Sequence, residues 1–420
     1  MSKLPENAYS PEELRRIKEK RYTDAIRLKK TDRVPLFVPI GYFAAKYAGI
    51  PCSAAYYDFD AWYSAYEKTL TDFQPDMIFP QPFTPGKVLE ILDPKAIQWP
   101  GYNCDPRFGH QAVEIEDMKA DEYKTFIDDP SDYLFRTIIS RTSKHMKGFA
   151  NFPKLSDLES GAIALQIMTD AFSNPDIISS IETLLEAGKE LNRWKEKQKK
   201  FDQMILDMGF PTIYHTAAMP PFDVISNGMR GLKGTVLDMY RQPDKITAAC
   251  EKILEMTLAR QLPPPNENGN IRVFMTNTRG SDQFLSKDQF DRFYWPPFKT
   301  LVNSLIDKGG TPCIFFEGDF TSRLEYLLEF PKGKVLARFD STDIFRAKDV
   351  LKGHTCIEGN FPSSLLQTGT TDDVKEHCKK LIDYCRKDGG YILAPRSSTD
   401  EVKPENLKTM IEFTNEYGVY

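Results

Sequence analysis

Eight short apolar runs punctuate the chain, at 34–41, 76–81, 212–218, 270–277, 312–317, 334–340, 354–358 and 389–394. Each is nearly continuous in apolar residues rather than alternating, the pattern of strands covered on both faces in a parallel sheet. Between the runs, apolar positions fall at helical spacing. Helix starts are marked by Ser10-Pro11-Glu12-Glu13, by a Ser286–Gln289 capping box and by the acidic pair Asp372 and Asp373 after Thr371. No hairpin signal links consecutive runs, so the expected fold is α/β, a (β/α)8 TIM barrel.

Helices are expected over 10–30, 58–73, 121–147, 184–208 and 236–262. The whole chain, 1–420, reads as one barrel domain. A helical extension over 1–33 is expected to lie outside the core. An insertion over 84–200, after the second strand, is expected to cover the mouth or to mediate contacts between copies. The KEKQKK run inside it reads as a solvated helix face.

Composition narrows the function classes. Apolar residues make up 41% and charged residues 27%, as in soluble globular proteins. The net charge of −5 speaks against a phosphate-backbone binder, so no nucleic-acid partner is expected. No run reaches the ~20 apolar residues that span a bilayer, and the start MSKLPENAYSPEELRR has no signal core, so no membrane partner and a cytoplasmic location are expected. Seven cysteines scattered from Cys52 to Cys385 without a C-x-x-C pair suit a reducing compartment. Cys378 and Cys385, seven apart on one helix face, read as core, and Tyr294-Trp295 as helix packing.

Candidate chemistry concentrates in 311–360, where three strand runs end in polar or glycine-bearing tips carrying Glu317, Asp319, Asp340, Cys356 and Glu358. Carboxylates and a thiol brought to one rim are able to hold a metal ion. Tyr42, Asn277, Arg279 and Asp282 follow other strand tips and suit substrate positioning, with Gly280 and Ser281 allowing a tight turn.

The blocks GNFPSSLLQTGTTDDVKEHCKKLID, GGYILAP and VKPENLKTMIEFTNEYG, with DRVPLFVPIG near the start and LDMYRQPDKI in the middle, resemble the uroporphyrinogen decarboxylase superfamily over residues 10 to 420. The resemblance implies a single barrel, a homodimer, and one of two activities. One is cofactor-independent decarboxylation of porphyrinogens; the other is zinc-dependent methyl transfer with a corrinoid protein or a thiol. PIGYFAAKYAGI lacks the arginine of the decarboxylase motif, and Arg279 is the rim arginine that the sequence places, so decarboxylation is disfavoured.

The methyltransferases ligate zinc through a His-x-Cys pair and a later cysteine before Gly-Asn. Cys356 matches the later position, ahead of Gly359-Asn360, whereas Phe315 and Glu317 stand where the pair would be. A carboxylate in place of a thiolate makes zinc a harder Lewis acid, suited to an ether or alcohol oxygen. The expected metal set is Glu317 and Cys356 with a third group, for which Asp340 is geometrically apt. His354 reads as a core or entrance histidine. Glu358 is a ligand or general acid, and His215 a proton donor to the leaving oxygen or an ordinary hydrogen-bonded histidine. The resulting expectation is an O-demethylating methyltransferase of one-carbon metabolism: a small methylated, methoxylated substrate, zinc at the rim, and cobalt of a corrinoid partner protein as methyl acceptor. The alternatives are a decarboxylase or lyase and a non-catalytic binding protein on the same scaffold.

Overall fold

The computed structural model describes residues 9–158 and 161–420. Eight parallel strands follow in chain order: β1 (Phe37–Gly41), β2 (Met77–Pro80), β3 (Thr216–Ala217), β4 (Arg272–Asn277), β5 (Thr311–Phe316), β6 (Leu336–Phe339), β7 (Cys356–Glu358) and β8 (Tyr391–Ile392). Strands β8 to β3 form one continuous sheet in descending order, and β1 pairs with β2. A bridge between Leu36 and Leu393 joins the two sets. The order is therefore that of a barrel, 2-1-8-7-6-5-4-3. Contrary to the expected closed barrel, no backbone bridge among the described residues joins β2 to β3. Contact there is through Phe79 and Tyr214, ring centroids 5.5 Å apart. Proline explains the gap: Pro80, Pro82, Pro211 and Pro220 flank the seam and offer no N–H to a ladder.

Alternate strand residues enter two separate cores. Val273, Met275, Ile314, Phe316, Ala337, Phe339 and Ile357 pack outward in the core that includes the surrounding helices. Phe37, Met77, Ile213, Cys313, Leu336, Cys356 and Ile392 face a second, inner cluster. Period two along each strand makes that division.

The N-terminal helix α1 (Pro11–Ile26) starts at a Ser10–Glu13 capping box. It was expected outside the core, yet Tyr22, Ala25 and Ile26 belong to the inner cluster, so it stops the strand lumen at the N-terminal end. Its charged side chains reach buried partners that a surface helix would not have. Glu19 takes Arg272 at 2.6 Å and 2.9 Å, and Arg21 pairs with Asp76, which also accepts from Arg33.

Between β2 and β3 lie the short antiparallel pair Ile97–Gln98 with Gln111–Ala112 and a series of helices. The helix expected over 121–147 is broken, with Tyr123–Asp128 ending before Pro130 and a 3-10 stretch over Lys144–Asn151. That expected over 236–262 is likewise two helices, Gly231–Arg241 and Pro243–Leu258, because proline begins a helix well and continues one badly. The one expected over 184–208 starts nine residues earlier, at Pro175, capped by Asn174.

Candidate active site

Register fixes which side chains share a level of the lumen. Cys313 pairs with Leu336 and Leu336 with Cys356; Phe315 pairs with Arg338 and Arg338 with Glu358. Glu317 and Asp340 lie one inward layer further, at the tips of β5 and β6, where Asp340 accepts from the Gly318 N–H at 3.4 Å and from Ser341 Oγ at 2.9 Å. Glu317 is exposed and Asp340 half-buried.

The layer beneath holds a sealed charge pair. Arg338 Nε stands 3.5 Å from Glu358 Oε1, and both side chains are shut from solvent. Tyr22 donates from α1 to Glu358 Oε2 at 2.6 Å. The Arg338 guanidinium lies over the rings of Phe37 and Phe315, 4.7 Å and 4.5 Å from their centroids, so aromatic faces stand in for its lost hydration. Burial pushes the Glu358 carboxyl up to about 7, although Arg338 and the Tyr22 hydrogen bond pull the other way. Burial also holds the Tyr22 hydroxyl in its neutral, donating form.

Three further aromatic rings stand near this pair. Tyr214 and Phe274 approach at 4.7 Å, and Phe79 meets both, at 5.5 Å and 5.7 Å. Phe79 is 41% exposed, while Tyr214, Phe274 and Phe315 are partly open. An aromatic wall therefore borders the Arg338–Glu358 pair on the side where the ladder is unclosed.

Several expected site residues fall elsewhere. Cys356 is at the entrance of β7, not its tip: four strand residues separate its level from that of Glu317, ~13 Å at about 3.3 Å per residue. The Phe315–Arg338–Glu358 layer stands between them, and burial holds the Cys356 thiol protonated, well above its ordinary range. Glu317, Asp340 and Cys356 thus do not fit a shared zinc ion, and no group of three metal-ligating side chains occurs among the described residues.

His215 lies at the level of Arg272, at the strand entrance, and its Nδ1 accepts the Arg272 N–H at 2.9 Å. It is not at the mouth. Asn277, on the outward face, is buried and accepts from Tyr294 at 2.6 Å. Asp282 lashes the loop after β5 through Ser322 and Arg323. Arg279 is held by Asn227 at 2.6 Å and lies 3.5 Å from Glu114. Tyr42 is buried between Tyr56 and His110, both at 2.9 Å, and borders a polar cleft of about 380 Å³ with Ser363, Gln367, Ser398 and Asp400.

Arg338, Tyr22, Phe79, Tyr214 and Phe274 are not among the candidates that the sequence pattern offers. Arg338 was within reach of it, since it stands two residues before Asp340 and must share its inward face. Tyr22 was not, because nothing local in α1 says that the helix closes the lumen.

Comparison with known proteins bears on the same region. The family described as Uroporphyrinogen decarboxylase (URO-D) matches residues 212–417, which carry β3 to β8 and the final helix Pro404–Tyr417. No curated protein sequence matches the chain. A methyltransferase from Methanosarcina mazei is similar in structure, with a TM-score of 0.58 and 13% identity over 95% of this chain and 98% of that one. At such identity the likeness concerns the fold.

Proposed function

We propose that this chain, whose residues 212–417 match the family described as Uroporphyrinogen decarboxylase (URO-D), is an enzyme that moves a methyl group from a small methoxylated compound to the cobalt of a corrinoid protein. The observation that carries the reading is the partly open aromatic wall beside a buried carboxyl group held near neutrality. Phe79, Tyr214 and Phe274 offer ring faces and edges to a flat aromatic ether. An ether that loses its methyl group leaves as an alkoxide or phenolate and needs a proton. A carboxyl with a pKa of about 7 both holds a proton at neutral pH and gives it up readily. Arg338 stabilises the carboxylate left behind, and Tyr22 fixes its orientation through Oε2.

The corrinoid, carried by the partner protein, would supply the methyl-accepting cobalt. No zinc-bound step is assigned, because the side chains expected to ligate zinc are spread over separate layers.

One observation favours a second reading. Arg338 is a lumen arginine, and arginine grips carboxylates, as a decarboxylase of the same superfamily requires. Its engagement by Glu358 and two rings leaves it less available for that purpose. Incubation with a panel of methoxylated compounds and a reduced corrinoid separates the two. Absorbance changes from methyl-cobalt formation are expected, whereas carbon dioxide release from an acid without any corrinoid would select the decarboxylase.

A further inference from the structure

A groove outside the strand lumen is lined by aromatic rings and fringed by cations. It measures about 270 Å³ and lies between helix Gly86–Leu92 and the long helix Pro175–Asp207, lined by Tyr56, Tyr57, Phe83, Val88 and Trp194. Its rings are pinned by the surrounding chain. Trp194 donates from Nε1 to the Phe83 carbonyl, and the Tyr57 hydroxyl accepts from Trp99 Nε1 at 3.0 Å. Gly86 has no room for a side chain, because a Cβ there would stand 2.8 Å from both the Tyr56 carbonyl oxygen and the Tyr57 ring. Tyr57 nonetheless stays 40% exposed. Walls already fixed in place lose little freedom when a ligand enters.

Charge indicates what the groove takes. Lys87, Arg193 and Lys197 line it with one carboxylate, Glu190, in a chain whose net charge is −5. Glu190 holds Arg193, and Lys87 turns to Glu90 at 2.9 Å. Lys197 has no ion-pair partner among the described residues. Its Nζ stands 5.8 Å and 5.7 Å from the ring centroids of Phe59 and Phe83, within cation–π reach. The KEKQKK run reads as a solvated face, yet this lysine inside it borders the groove. Mostly apolar pockets with a few placed polar groups suit small ligands: the rings favour a flat aromatic body and the unpaired ammonium a negative group.

We propose that this groove binds a small flat aromatic anion, an aryl carboxylate of one or two rings, with its ring against Tyr57 and Trp194 and its charge at Lys197. The site is separate from the Arg338–Glu358 pair and does not depend on methyl transfer. Isothermal titration of the full chain with 1-naphthoate tests it, with 1-naphthamide as the uncharged counterpart and circular dichroism melting to verify that variants fold. Saturable binding of 1-naphthoate is expected. Lys197→Met, which keeps an apolar stem beside the rings, is expected to weaken it by about fivefold while leaving 1-naphthamide unchanged. Phe79→Ala, in the lumen, is expected to leave the Lys197-dependent site unchanged. Absence of 1-naphthoate binding up to millimolar concentration overturns the proposal, as does equal affinity in Lys197→Met. Binding abolished by Phe79→Ala and retained in Lys197→Met also overturns it and assigns the anion to the lumen.

Discussion

Arg338 and Glu358 stand side by side on neighbouring strands, Nε to Oε1 3.5 Å, both sealed inside the lumen. Charges withdrawn from water are costly unless paired, and this pair is completed by Tyr22 from a helix more than 300 residues distant in sequence. The pair gives the lumen a proton-holding group beside an apolar wall.

Removing one partner is therefore worse than removing both. Arg338→Met removes the cation that holds the Glu358 carboxyl down, so that carboxyl stays protonated and loses a polar neighbour, at an expected cost of about 1–3 kcal/mol in urea unfolding at neutral pH. The double variant Arg338→Met with Glu358→Leu is expected to be more stable than Arg338→Met alone. A double variant showing the full sum of the single losses would mean that the two side chains do not act as a pair.

Phe79 belongs to the wall and is 41% exposed, and in the proposed reading its ring meets the substrate. Phe79→Ala is expected to raise KM for an aromatic substrate by about tenfold, in keeping with a lost ring contact of ~1 kcal/mol or more. The melting temperature should stay nearly unchanged, and a large loss of stability with unaltered KM would place the ring in the fold instead.

Asp223 makes stability depend on pH. Burial pushes its carboxyl from 3.8 up to about 7, against hydrogen bonds from the Thr278 and Arg279 N–H groups and the Tyr294 hydroxyl. The folded state then binds the proton more tightly than the unfolded state. The contribution is complete below the unfolded value of 3.8 and disappears as pH rises through about 7. Its size is at most about 4 kcal/mol. Thermal melts across pH 4 to 8 are expected to show falling stability with rising pH, and Asp223→Asn to flatten that slope. An identical slope in the variant would assign the effect to other groups.

Cys356 lies too deep to share an ion with Glu317 and Asp340. Cys356→Ala is expected to leave the metal content of the purified protein unchanged by mass spectrometry, at a stability cost of about 1 kcal/mol from lost packing. Loss of stoichiometric zinc in that variant would contradict the placement of the thiol.

The strand order and most strand positions were legible in the sequence, because runs such as IRVFMTN and TPCIFF are apolar on both faces and nothing but a covered parallel strand suits them. The open seam was not, since it depends on prolines acting between segments more than 100 residues apart. Helix boundaries failed where Pro130 and Pro243 cut an otherwise continuous apolar pattern. Within the site, Glu358 was found because it ends a strand run, but its burial was missed, as the plug formed by α1 is a tertiary fact. Cys356 is at the entrance for a simpler reason: β7 is only three residues long, and register sets Cys356 level with Leu336 and Cys313, four strand residues below Glu317.

The most direct measurement is single-turnover methyl transfer to a reduced corrinoid, comparing wild type with Glu358→Gln across pH 5 to 9. The account predicts methyl-cobalt formation whose rate falls as pH rises through about 7, where Glu358 loses its proton, and a loss of about 100-fold or more with no such limb in the variant. Methyl transfer at equal rate and with equal pH dependence in Glu358→Gln, or no methyl transfer from any methoxylated compound, would contradict it.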